Sequence, residues 1–214
     1  MRFLGRGPGH AAARAALTEF ASLIGLLKTI VAGLVGLALG LAASWYAVSG
    51  GAAFGEIELG PWRSNPRAAY SDADPYTRAT RAHTGESPLS QAEGLTFLAS
   101  RDDDGHRLDS HCDYVLGGAI PAARLWTLSS IDARGAPVPN AIGRNAISSA
   151  EIVRDQDGRF EVIAAPGARA GNWLPLARGH SFQFMLRLYD TTGSAAAGVM
   201  SREQMPFIRK GSCS

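Results

Sequence analysis

Residues Thr29 to Val48 read TIVAGLVGLALGLAASWYAV, an uncharged run, and after it polar and apolar positions alternate in short blocks to the end of the chain. A helix of about 20 apolar residues crosses the hydrocarbon core of a bilayer with every backbone amide paired, so the run predicts one transmembrane helix over 29–48. A surface helix of a soluble domain would show polar residues every few positions. Here only Thr29, Ser44 and the rim aromatics interrupt. Arg2, Arg6, Arg14 and Lys28 precede the run against the single acid Glu19, and Trp45 and Tyr46 close its far end. Basic flank inside and aromatic belt outside predict a cytoplasmic tail over 1–28, with everything after about Ser49 on the other side. A cleaved signal peptide is the competing reading, because Ala42, Ala43, Ser44 and the stretch 49–53 offer small residues to a peptidase. The apolar core is longer than the roughly 7–15 residues of a signal peptide, which favours an uncleaved signal anchor. Ala32, Gly36, Gly40 and Ser44 put four small side chains on one helix face, a pattern that permits close helix pairing and hence a homo-oligomer.

Beyond the run, 49–75 is rich in Gly, Ala and Pro without sustained periodicity and reads as a linker or stalk, with a turn at Gly60-Pro61-Trp62. Asp74-Pro75 supplies an N-cap and a first-turn proline for a short helix to about His83. Ser90-Gln91-Ala92-Glu93 is a capping box, cut short by Gly94. The remainder alternates with period two between turn signals. Strands are predicted at 95–100, 112–116, 124–132, 159–165 and 181–190, with turns at Asp102-Asp103-Asp104-Gly105, Gly117-Gly118 and Asp155-Gln156-Asp157-Gly158. Phe182, Phe184, Leu186 and Leu188 face inward on the last strand; Phe160, Val162 and Ala164 share a face of the one before it. The fold class is mostly β: an antiparallel sandwich or jelly-roll-like domain over 76–214, with one or two short helices, preceded by the apolar helix.

Composition narrows the function classes. Removing the four basic residues and one acid of the tail from the 21 and 19 of the whole chain leaves 17 and 18, so the outer domain is nearly neutral and nucleic acid is excluded as a partner. The only cysteines, Cys112 and Cys213, both fall in the outer part, where two thiols pair more often than they stay free. Neither belongs to a Cys-x-x-Cys pair, and with His106 and His111 as the nearest other ligands a metal site is not expected. Asp102, Asp103 and Asp104, or Asp155 and Asp157, offer oxygens to calcium, but neither loop completes an EF-hand and both read first as turns with solvated acids. The chain carries no nucleophile elbow, His-Glu-x-x-His, P-loop or dinucleotide fingerprint, and no cofactor is expected.

The order Arg124-Leu125-Trp126-Thr127-Leu128, Asn140 to Arg144, Ser148-Ser149, Asn172-Trp173-Leu174-Pro175 and Met185-Leu186-Arg187-Leu188-Tyr189 resembles the bacterial domain of unknown function 1214 family, over roughly Leu95 to Ile208. The resemblance implies a mostly β, commonly exported domain that often accompanies a second domain of unknown function, numbered 1254. It places the chain at the bacterial inner membrane with its C-terminal domain in the periplasm. The chain departs from longer members in lacking that partner domain and carrying its own apolar run. No catalytic residues transfer. Within the matching motifs, Arg144, Asn172, Trp173, Arg187 and Tyr189 form a candidate ligand set, since a planar guanidinium beside an aromatic ring suits an anionic or sugar-like ligand. Equally, the arginines can satisfy loop carbonyls or acids while Trp173 closes the core and Asn172 caps a turn. Two functions follow: a non-enzymatic envelope module that binds a partner protein or glycan, or an envelope enzyme acting on a carboxylated or sugar-like substrate. A purely structural scaffold is the third.

Overall fold

The computed structural model describes residues 9–49, 56–66, 73–84, 89–90, 93–191 and 200–213. Arg2, Arg6, the glycine-rich start of the predicted tail, the cleavage-site residues 50–53, and Gln91 and Ala92 of the capping box lie outside them. The chain divides into two units, 1–50 and 51–214.

The first unit is helix α1, Gly9–Ser49. From Ser22 to Ser49 it is long and apolar enough to cross a membrane, so the apolar segment starts before Thr29 and takes in Lys28. Leu23, Ile24, Leu26 and Leu27 extend the run on the N-terminal side, and one lysine with a long aliphatic stem does not break it. Leu23, Leu27, Val31, Leu34 and Leu41 are all exposed. A helix apolar on every side with no protein covering it needs an apolar phase, which points to a membrane anchor or signal sequence. A Cβ built at Gly36 or Gly40 meets nothing within 4 Å, so one copy of the chain leaves the small-residue stripe uncontacted.

The second unit is a sandwich of two sheets around one core. One sheet runs β1 (Ile57–Leu59), β2 (Trp62–Ser64), β3 (Gly94–Ala99), β9 (Gln183–Tyr189), β5 (Leu125–Ile131), β6 (Ala146–Ser148). The other runs β10 (Phe207–Cys213), β4 (Cys112–Gly118), β7 (Phe160–Ala165), β8 (Asn172–Pro175). Period-two alternation sends Leu95, Phe97, Trp126, Leu128, Phe184, Leu186 and Leu188 from the first sheet, and Tyr114, Leu116, Val162, Ala164, Leu174 and Ile208 from the second, into one buried cluster. Tyr114 meets Phe182 and Phe184 edge-on, each with ring centroids 6.1 Å away. Its hydroxyl accepts the Asp109 N–H at 2.7 Å, and burial pushes the phenol above its ordinary pKa.

The mostly β reading holds; β6 and β10 are strands the pattern did not announce, and three predicted segments differ. The predicted stalk carries the β1–β2 hairpin: Trp62 is completely buried, its indole N–H donates to the Pro206 carbonyl at 2.7 Å, and β2 extends the sheet through Arg63 and Leu98. Burying one Trp and Leu59 is enough to hold so short a hairpin on a sheet edge. Gly117-Gly118 is not a turn. A Cβ at Gly117 would stand 2.5 Å from the Phe160 carbonyl, so its absence is what lets β4 and β7 approach and the strand run on. The segment Asn172–Pro175 is a strand rather than a capping turn, and it pairs parallel with β7, so the second sheet is mixed. The segment at Ser90 is as expected a short capped turn before β3, with Glu93 and Gly94 N–H groups both donating to the Ser90 carbonyl.

Helix α2, Pro75–Thr84, starts where predicted: Asp74 Oδ1 accepts the N–H groups of Tyr76 and Thr77, both at 3.0 Å. Cys112 and Cys213 are bonded to each other and are Cα partners in the β4–β10 register.

Candidate functional site

Four loops share one construction, and it decides which polar side chains are available for chemistry. In the turns that start at Asp102, Asp132, Asn140 and Asp155, the side-chain Oδ1 accepts the N–H groups two and four residues on, and the N–H three residues on donates to the first residue's carbonyl. The fourth residue is in each case a glycine with positive φ: Gly105, Gly135, Gly143 and Gly158. An Asx side chain that bonds its own backbone and a residue free to turn left-handed are the two requirements of this loop. Asn140 is therefore a turn former, and Arg144 follows it with its guanidinium on Glu151 at 3.1 Å.

Asn172 and Trp173 have backbone partners as well. The Asn172 amide accepts the Val153 N–H and donates to the carbonyls of Val153 and Glu161, which clips the strap after β6 to the β7–β8 pair. The Trp173 indole N–H donates to Ala165 at 3.0 Å. Asn172 borders a groove of about 670 Å³ over the outer face of the β10-β4-β7-β8 sheet, with Arg154, Arg159, Phe207 and Arg209. Two of these cations lie on rings: Arg209 on Phe207 at 4.3 Å and Arg154 over Phe160 at 5.6 Å. Arg154 also donates to the Gly158 carbonyl, as Arg101 does to Gly105, so it belongs to its turn.

Arg187 and Tyr189 are on the opposite side of the molecule's core, on the outer face of β9. The structure therefore splits the five predicted residues among a turn, a strand clip and this face. Arg187 sits in the middle of its sheet, in register with Thr96 on β3 and Thr127 on β5. It is half-buried, its Nε is sealed from solvent without a hydrogen-bond partner, and so is the hydroxyl of Thr96 beside it. None of the ion pairs among the described residues involves Arg187, whereas Arg63, Arg124, Arg144, Arg169 and Arg202 each have a carboxylate. Thr96 was missed by sequence reasoning. Its signal is the period-two pattern of β3, which places it opposite Leu95 and Phe97.

Residues 93–193 match the family described as a protein of unknown function, DUF1214. All of that match lies within the second unit. Arg187, Tyr189, Thr96 and Thr127 all fall inside the matching stretch of the DUF1214 domain. Among solved structures, the VPA0106 protein from Vibrio parahaemolyticus superimposes with a TM-score of 0.52 at 22% identity, covering 68% of this chain and 37% of its own. That likeness concerns the fold. An uncharacterised protein from Burkholderia cenocepacia gives a TM-score of 0.40 at 13% identity, over 60% of this chain and 32% of its own. The chain thus spans about a third of the length of these two proteins. No functionally curated protein matches it.

Proposed function

We propose that the DUF1214 domain is a non-catalytic binding module of the bacterial envelope, held at the inner membrane by α1 on its periplasmic side, and that its ligand presents a carboxylate to Arg187. The observation that carries this reading is the Nε of the half-buried Arg187, sealed without a hydrogen-bond partner and with no carboxylate among the described residues paired to the side chain, beside the unpartnered Thr96 hydroxyl. A cation drawn out of water without an acid costs several kcal/mol, and buried donors are nearly always satisfied. A guanidinium holds a carboxylate through two parallel bonds, so a ligand carboxylate is the group that would compensate the charge of Arg187. Tyr189, two residues along the same face, adds a ring edge for a sugar. The disulfide supports the periplasmic side, where such bonds persist.

An enzyme would need a proton-transfer group beside Arg187. Its neighbours in register are two threonines, which do not titrate in the working range, and Glu56, whose carboxyl burial raises above its ordinary value, stands ahead of β1 at the far edge of the sheet. A protein bearing the companion 1254 domain is the first macromolecular partner to test, as the source of such a carboxylate.

Titration calorimetry on the full chain in detergent, with muramyl dipeptide and a glucuronate oligosaccharide as probes, tests the site. Arg187→Gln should abolish binding, and Arg187→Lys should weaken it at least tenfold because an ammonium lacks the planar fork. Circular dichroism checks that both variants are folded. Unchanged affinity in folded Arg187→Gln, or no binding of either probe to the parent, sinks the reading.

A further inference from the structure

We infer that the ligand of the Arg187 site is an acidic sugar of at least two rings, laid across the strands from β9 over β5 to β6, an assignment that rests on Arg187 being the carboxylate site proposed above. Its carboxylate meets Arg187, and the next ring meets Thr127 and Ser148. Register builds this track. Arg187 pairs with Thr127 and Thr127 with Ser148, so the three side chains stand in one row on the outer face of the sheet, and the row continues on the other side to Thr96.

Access differs along the row. The Thr96 hydroxyl and the Nε of Arg187 are sealed from solvent. The terminal nitrogens of Arg187 and the hydroxyls of Thr127 and Ser148 are not sealed, and no hydrogen bond among the described residues occupies them. Water therefore reaches the row from Arg187 toward β6, and a ligand comes to it from the same side. The nearest side chains in the rows on either side are not acids: Tyr189 and Leu125 stand in one, Leu98, Met185 and Ser129 in the other. Glu58, farther along the second of these rows, already faces Arg63.

The chemistry of the row selects a sugar. A Thr or Ser hydroxyl both donates and accepts, as a sugar hydroxyl does, so the two meet in either sense. Tyr189 and Leu125, partners in register beside the row, give ring and aliphatic surface to the C–H face of a sugar. Neighbouring strands lie about 4.8 Å apart, so the track from β9 to β6 spans roughly 10 Å, the length of two linked rings rather than one. A peptide laid there would have no strand to join, because β9 and β5 are both central and only a sheet edge offers unpaired backbone groups.

Titration calorimetry on the full chain in detergent compares cellobiouronic acid, a glucuronate ring linked to a glucose ring, with methyl glucuronide, the acid ring alone, and cellobiose, two rings without the acid. Cellobiouronic acid is expected to bind at least tenfold more tightly than either. Thr127→Val and Ser148→Ala remove hydroxyls without filling the track and should each weaken it at least threefold, the worth of about one hydrogen bond. Ser148→Ala should leave methyl glucuronide unchanged. Ser129→Ala should leave every affinity unchanged, since that hydroxyl already donates to the Met185 carbonyl at 3.4 Å. Circular dichroism checks that each variant is folded. Arg187→Gln should abolish binding of both acids; binding that survives it removes the carboxylate site and the track together. Where Arg187→Gln does abolish binding, equal affinity for the two acids, or full affinity in both Thr127→Val and Ser148→Ala, overturns the track and leaves the carboxylate site standing. No binding of cellobiouronic acid to the parent overturns it as well.

Discussion

At the scale of single residues, the positions that matter most are those where a side chain is absent or already committed. Gly94 opens β3 at φ +155°, and a Cβ there would lie 1.9 Å from the Leu188 carbonyl oxygen, a backbone atom of the neighbouring strand that has nowhere to go. Gly135 also has positive φ, but its Cβ would point into open space. Gly94→Ala should thus cost about 2–3 kcal/mol, by forcing β3 off β9, and Gly135→Ala about 1 kcal/mol, from backbone strain alone. Chemical denaturation midpoints of the two variants decide it; equal shifts would mean that the β3–β9 contact relaxes freely. The Asx turns show what was legible at this scale. Asp followed three residues later by Gly announced the turns at Asp102 and Asp155, because one side chain and one backbone requirement suffice. The same signal at Asn140 was overshadowed by the arginine after it. Asp103 depends on β10, more than 100 positions away in sequence: it exchanges backbone and side-chain bonds with Ile208 and pairs with Arg202, so it fastens that strand.

Elements of the fold were readable where alternation marked them: β10 has seven residues, but only Ile208 of them is buried, and the pattern did not announce it. The alternation in β5, β7 and β9 extends over six or seven residues, long enough for period two to stand out; β7 and β9 bury the faces it marks, and β5 buries Trp126 and Leu128. β1, β2 and β6 have three residues each, too few for any period, and β2 is fixed by one indole on the far segment at Pro206. Helix α2 was legible from its start signal alone. That start is also where pH should act. The Thr77 hydroxyl, then the backbone N–H groups of Thr77 and Tyr76, hold the Asp74 carboxyl below its ordinary pKa. A folded-state pKa that is lowered gives stability present above the unfolded value and lost as pH falls through the folded one, here from about pH 4 downward. Amide exchange of Tyr76, Thr77 and Arg78 should therefore accelerate below about pH 4 in the parent, while Asp74→Asn, which still caps but does not ionise, should show no such step. An identical acid response in the two proteins would remove the charge from the cap.

For the whole molecule, the pattern fixed the apolar helix and the sandwich, but which arginine lacks a partner could only emerge once strands from distant segments were in register. The same assembly gives the disulfide its weight. Cys112 begins β4 and Cys213 ends β10, with a sequence separation of 101, so the bond closes a loop holding all of the second sheet and half of the first. Removing a native bond of this kind costs about 2–5 kcal/mol, since the unlinked chain has far more conformations to lose. At roughly 2–4 °C per kcal/mol for a domain of this size, Cys213→Ser should lower Tm by about 5–20 °C. The bond also reports on α1. If the helix delivers the domain to an oxidising compartment, both thiols in the native envelope should resist alkylation until a reductant is added. The chain lacking residues 22–49, retained in the reducing cytosol, should alkylate at both cysteines at once and melt at the lower temperature of Cys213→Ser. Alkylation of the unreduced full chain would place the domain on the reducing side and turn the proposed topology around, whereas protection together with an unshifted mass for the intact chain would mean that α1 stays attached as an anchor rather than leaving as a signal sequence.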